Sequence, residues 1–151
     1  MPTATRSDKI NLSSEKQTEE LANKFLKKIS LGNIVFLYGE IGVGKTTFIR
    51  YLINGFQKAN KQKITEITSP TFNLLNEYKT NNLVIKHYDL FRIKNNSEIN
   101  DLDIFEKNKN TITLVEWPQI IANNNKAKSI NLLFSYENDF KNRTVQIKVL
   151  N

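Results

Sequence analysis

Apolar residues recur along this chain at two periods, and the changes between them mark out its elements. Ser14, with Gln17 three positions on, has the form of a capping box. Leu21, Ala22, Phe25, Leu26 and Ile29 then follow at helical spacing, and Gly32 stands where a helix-ending glycine belongs. Asn33–Tyr38 is a short apolar run that predicts a buried strand. Gly39–Lys45 predicts a loop. Thr46–Phe56 predicts a second helix, with Phe48, Ile49, Leu52 and Ile53 on one face and Gly55 near its end. Lys58–Thr68 is a polar connection, and Ser69-Pro70-Thr71 opens a loop. Phe72–Tyr78 and Leu83–Tyr88 predict two strands joined by a tight turn over 79–82. Residues 93–110 are polar, with Ile99, Leu102, Ile104 and Phe105 marking one short helix. Thr111–Val115 predicts another buried strand, followed by Glu116-Trp117-Pro118 and a helical turn from Pro118 to Asn123. Ile130–Tyr136 and Val145–Leu150 predict a closing antiparallel pair. Residues 1–12 are polar and expected to be flexible, and Asn123–Asn125 reads as a solvent loop. The alternation defines the class as α/β: one small domain with a mixed parallel/antiparallel sheet flanked by helices.

Composition narrows the chemistry. At 151 residues and 17.5 kDa the chain is long enough for one domain and too short for two. The lack of cysteine excludes disulfides, thiolate metal sites and a cysteine nucleophile; the one histidine, His87, excludes a histidine-rich metal site. The net charge of +7 invites a nucleic-acid reading. Yet Lys, Asn and Ile supply 56 of the residues, all with A/T-rich codons, while arginine is scarce and the lysines are scattered. Genome composition explains the charge more simply than a binding surface does. No apolar run near the start approaches the ~20 residues of a membrane span. No export signal is visible, so a cytoplasmic location and no membrane contact are expected.

Glycine carries the informative signal. There are five, and three of them fall within Gly39-Glu40-Ile41-Gly42-Val43-Gly44-Lys45-Thr46, a full G-x-x-x-x-G-K-[ST] between a predicted strand and a predicted helix. In that setting the loop amides form a nest for phosphate oxygens, and the following helix adds its dipole. Lys45 is expected to reach the β- and γ-phosphates, and the Thr46 hydroxyl to bind Mg²⁺. Gly39 to Thr46, together with Thr47, are the expected nucleotide-binding residues. The whole chain, 1–151, then reads as a single P-loop ATPase domain.

Such a loop needs an acidic partner at another strand end. Asp89 follows Leu83–Tyr88, and Glu116 follows Thr111–Val115. Both are candidates for Mg²⁺ ligation and for orienting the attacking water, with Lys45 as the third catalytic candidate. D-x-x-G and N-K-x-D are missing, which disfavours a guanine-nucleotide protein. No arginine-bearing lid is apparent, which disfavours the alternative of a small-molecule P-loop kinase. ATP and ADP are the expected nucleotides.

Three further motifs accompany the loop: Ser69-Pro70-Thr71-Phe72, His87-Tyr88-Asp89-Leu90-Phe91-Arg92 and Glu116-Trp117-Pro118. In this order and at this length they resemble the TsaE (YjeE) family, over roughly residues 10–150. The resemblance implies an ATP- and Mg²⁺-binding subunit with weak hydrolysis of its own. It implies work beside a threonylcarbamoyl transferase subunit and that subunit's dimerisation partner, of TsaD and TsaB type. Together these would form N6-threonylcarbamoyladenosine at position 37 of tRNAs reading ANN codons. The tRNA would be reached through the complex, and hydrolysis would reset it between cycles. Carried over, Lys45 and Thr46 are phosphate and Mg²⁺ residues, Asp89 and Glu116 the site acids, and Thr71 part of a switch-like loop. Trp117 is placed beside the nucleotide pocket or a partner interface. Val43 replaces the family's common Ala. Phe91 replaces its usual Tyr, so no role of that hydroxyl carries over.

Overall fold

The computed structural model describes residues 9–106, 109–122 and 129–150. Seven strands form one sheet: β1 (Ile10–Asn11), β2 (Ile34–Tyr38), β3 (Leu75–Lys79), β4 (Val84–Asp89), β5 (Thr111–Glu116), β6 (Ser129–Tyr136) and β7 (Arg143–Leu150). Their spatial order is β1-β7-β6-β2-β5-β4-β3. The inner four, β6, β2, β5 and β4, run parallel, and antiparallel strands flank them on both sides. This is the expected mixed sheet.

Alternation along the strands builds two cores. Val35 and Leu37 of β2, Ile85 of β4 and Ile112 and Leu114 of β5 face one side. There they pack against Leu21, Ala22 and Phe25 of α1 (Glu15–Lys28) and Phe48, Ile49, Leu52 and Ile53 of α2 (Lys45–Ala59). Ile34, Phe36, Tyr88 and Val115 face the other side. They are covered by Leu90, Ile93, Ile99, Ile104 and Ile121, from the short helix α3 (Asn96–Ile99) and the loops around it. A strand buried on both faces reads as an unbroken apolar run, which is why β2 and β5 were legible as such.

The capping box forms: the Ser14 hydroxyl accepts from the Gln17 amide, and the Gln17 side chain accepts from the Ser14 amide. Other boundaries move. Ile10 and Asn11, expected within a flexible 1–12, pair with Val145 and Thr144 of β7, because Leu12 beyond them is buried in the core. Residues 1–8 lie outside the described residues, as does the Asn123–Asn125 tract. β3 begins at Leu75 rather than Phe72, since the Leu74 amide donates to the Pro70 carbonyl and closes a turn. α2 runs on to Ala59, with Gly55 inside it rather than at its end. A Cβ at Gly55 would stand 3.3 Å from Leu26 of α1, so the missing side chain lets the two helices approach. The single helix expected over 93–110 is α3 followed by a 3-10 turn, Asn100–Leu102. The turn after Trp117 covers Pro118–Ile120.

Candidate functional site

The motif residues gather where the parallel strands end. β2 runs into the glycine loop, and α2 starts at Lys45. Gly44 precedes it with φ +114 and, having no side chain, leaves the first helical amides uncapped. Those amides are free donors aimed out of the helix start, the feature that holds phosphate oxygens. Glu40, Ile41 and Gly42 are exposed, whereas Val43 is buried in the core beneath the loop.

Lys45 is only 4% exposed. Its Nζ donates to the Gly39 carbonyl and lies 3.8 Å from the centre of the Trp117 ring. Burial pushes its pKa below the ordinary lysine value, opposed by the nearby Glu116 and Asp89 carboxylates. Trp117, half-buried and with φ +55, also packs against Phe91, the ring centres 4.8 Å apart and the planes tilted by 52°.

Asp89 and Glu116 are the last residues of β4 and β5, direct partners across the parallel ladder and on one face of it. Both are buried. The Thr46 hydroxyl donates to Glu116 Oε1 at 3.1 Å. Ser69 Oγ donates to Asp89 Oδ2 at 2.7 Å and reaches Glu116 Oε2 at 3.4 Å. Asp89 Oδ1 accepts from the Phe91 amide at 3.0 Å. His87, fully buried, sits 2.8 Å from Glu116 Oε2 through Nε2.

The expected residues thus fall into three groups. Lys45, Thr46, Asp89 and Glu116 converge in one cluster, with the Trp117 ring closing it. Gly39 to Gly44 form the loop in front of it. Thr47 lies on the other side, lining a cavity of about 230 Å³ with Ser13, Ser14, Gly44 and Arg143. Thr71 touches neither carboxylate; its hydroxyl donates to Ser69 Oγ at 3.4 Å. Ser69 makes the contact instead. Arg92 makes no ion pair with Asp89 and lies over the Phe72 ring, 5.1 Å away.

Three site neighbours escaped the sequence reading of binding residues: His87, Ser69 and Arg143. Ser69 lay within a quoted motif, but only a fold that lays its loop across β4 and β5 shows its contact. Arg143 lies 99 positions after Gly44 (143 − 44), yet its Nη1 is 3.9 Å from where a Gly44 Cβ would stand. Its only sequence signal was the scarcity of arginine.

The donors gathered here would suit a hard cation. Thr46, Asp89 and Glu116 offer oxygen alone, and among the described residues no group of three or more His, Asp or Glu side chains forms a cage. One or two carboxylates and a hydroxyl, completed by substrate phosphates and water, is how proteins hold Mg²⁺. A larger cavity, about 320 Å³, lies beside α3 and is lined by none of the motif residues.

A parallel sheet feeding a glycine loop into a helix, with acids at the adjacent strand ends, defines a P-loop α/β protein. Residues 12–145 match the family model described as threonylcarbamoyl adenosine biosynthesis protein TsaE, and the chain belongs to that family. A Rickettsia bellii protein named tRNA threonylcarbamoyladenosine biosynthesis protein TsaE is 44% identical over 110 residues, covering 73% of this chain and 74% of that protein. An Aquifex aeolicus protein of the same name is 33% identical over 110 residues, covering 73% and 76%. The crystal structure of YdiB from Bacillus subtilis superposes with a TM-score of 0.74 over 97% of this chain and 87% of that one. At 22% identity, that match speaks for the fold alone. Among the described residues no helix is long and apolar enough to cross a membrane.

Proposed function

We propose that this chain is a cytoplasmic Mg²⁺-dependent ATPase of the machinery that forms N6-threonylcarbamoyladenosine at position 37 of tRNAs reading ANN codons. The observation that carries the reading is the contact between Thr46 of the glycine loop and Glu116 at the end of the neighbouring strand, beside Asp89. It joins the phosphate-binding and acidic halves of one site in a chain of this family. The small-molecule kinase alternative has no counterpart among the relatives named above.

Each residue has a defined task in this reading. The open amides at the start of α2 and Lys45 hold the terminal phosphates, in place of the Gly39 carbonyl that Lys45 now contacts. Thr46, Asp89 and Glu116 would hold Mg²⁺, which would supply neutralisation of the phosphate charge. The carboxylates also orient the attacking water for in-line displacement. Preorganised charge, rather than covalent chemistry, supplies the rate. The cavity between Thr47, Ser13 and Arg143, bordered by Gly44 of the loop, takes the nucleoside.

Among the described residues no arginine reaches the Asp89–Glu116 cluster where the transferring phosphoryl group would lie. Arg50 pairs with Glu15, Arg92 lies over Phe72, and Arg143 stands on the nucleoside side. Phe72 is 85% exposed and Phe91 51%, both beside the site. This rim suits a partner of TsaD or TsaB type that completes the site, so hydrolysis alone is slow. The test is to measure ATP hydrolysis and threonylcarbamoyl-tRNA formation with and without the transferase pair. Wild type is expected to be slow alone and strongly stimulated, and Lys45→Ala to be folded and inactive in both assays. A Lys45→Ala protein that still supported modification over many turnovers would overturn the reading.

A further inference from the structure

We propose that His87 is a positioning residue that restricts Glu116 to a single free oxygen, setting which divalent cation the site accepts. The inference rests on the nucleotide reading above and adds a selectivity device to it. The Glu116 carboxylate has two oxygens with different surroundings. Oε1 faces the Thr46 hydroxyl at 3.1 Å. Oε2 is held most closely by His87 Nε2, at 2.8 Å, with Ser69 Oγ a longer 3.4 Å away. A carboxylate only accepts, so the imidazole donates from Nε2. His87 lies two residues before Asp89 on β4, and Glu116 is the ladder partner of Asp89, so register places ring and carboxylate on one sheet face. Both side chains are enclosed, at 0% and 3% exposure, so water does not compete for the contact.

Packing alone does not account for the ring. Its second nitrogen, Nδ1, is buried with no hydrogen-bond partner among the described residues. A buried polar atom left unpaired is a penalty that an apolar side chain of similar size would avoid. The contact to Oε2 is what the imidazole gives in return. Mg²⁺ is small and demands near-ideal octahedral geometry, which suits ligation through one carboxylate oxygen. Ca²⁺ accepts bidentate carboxylates and irregular shells. With Oε2 held by His87, Glu116 can offer Oε1 alone. Without His87 the carboxylate is free to turn and offer both.

Trp117 is the chain's only tryptophan and stacks on Lys45, so its fluorescence reports occupancy of this site. The experiment titrates Mg²⁺, and separately Ca²⁺, into protein with saturating ADP, following Trp117 emission, in wild type, His87→Leu, His87→Gln and His87→Asn. Glutamine places a donor near the Nε2 position, asparagine near Nδ1, and leucine places none. His87→Leu and His87→Asn are expected to need about 10-fold more Mg²⁺ than wild type, the usual cost of losing a partner behind a metal ligand. Their Ca²⁺ requirement should change little, and His87→Gln should restore the Mg²⁺ preference. A merely structural histidine would weaken both cations alike in all three variants, and that result overturns the proposal. So does a His87→Leu protein with the wild-type Mg²⁺ requirement. Should His87→Leu fail to fold, glutamine against asparagine carries the same comparison. A wild type whose emission ignores Mg²⁺ and ADP would instead bring down the nucleotide reading itself.

Discussion

At Gly39 the chain turns from β2 into the loop with φ +147, and a Cβ there would stand 2.8 Å from both the Phe134 carbonyl oxygen and Val43 Cγ1. The first obstacle is backbone of β6, which cannot move without disturbing the sheet. Gly39→Ala should therefore cost roughly 2–4 kcal/mol, combining backbone strain with overpacking. Urea unfolding would read this as a lower midpoint at unchanged slope; a midpoint within error of wild type would refute the steric argument. The same scale shows what a sequence can and cannot reveal of a site. Lys45, Thr46, Asp89 and Glu116 were legible because each obeys a local rule: a glycine loop before a helix, or an acid at a strand end. Ser69 and His87 obey none. The His87 contact exists because β4 lies parallel to β5 in one register, and the Ser69 contacts because its loop crosses their ends; pairing between distant segments is not encoded in local spacing.

Elements of regular period were the easiest to foresee, and their ends the hardest. α1, β2, β5 and the β6–β7 pair follow from apolar period and capping. The start of β3 was misplaced because a hydrogen bond from Leu74 to Pro70 turns an apolar, strand-like stretch into a bend. α3 and its 3-10 turn were blurred for a related reason: they are fixed from outside, by the sheet they cover. Tyr88 is the tie, its hydroxyl donating to the Leu102 carbonyl at 2.6 Å from a fully buried ring. Burial raises its pKa from the ordinary 10 to about 12. The unfolded chain therefore ionises first. This contribution to stability is complete below pH 10 and is lost as pH rises from there through about 12. Tyr88→Phe should be about 1 kcal/mol less stable at pH 8, for the lost hydrogen bond. The gap to wild type should narrow by pH 11. Denaturant midpoints at the two pH values check this, and a gap that widened would contradict it.

Across the whole molecule the candidate site is shared among pieces that the sheet alone does not tie together: the start of α2, the ends of β4 and β5, and the loop at Ser69. A ligand that bridges them is linked to global unfolding. At a hundredfold excess over its Kd a ligand adds about 2.7 kcal/mol, or roughly 5–10 °C in a domain of this size. Mg²⁺ with ADP should raise the melting temperature by that order and Mg²⁺ with GDP by much less; equal shifts would remove the adenine preference. Asp89 and Glu116 stand side by side at the end of the ladder, out of water, with Lys45 as their nearby cation. Two neighbouring buried carboxylates that share one cation oppose folding, because that cation offsets only part of their desolvation and mutual repulsion. Without ligand, Glu116→Gln should thus melt at a higher temperature than wild type, and it should gain less from Mg²⁺ and ADP. The native chain would then be a protein held below its own best stability. Stabilising substitutions at these two strand ends should be easy to find in a screen for heat resistance, and such a screen would remove the activity it left unmeasured.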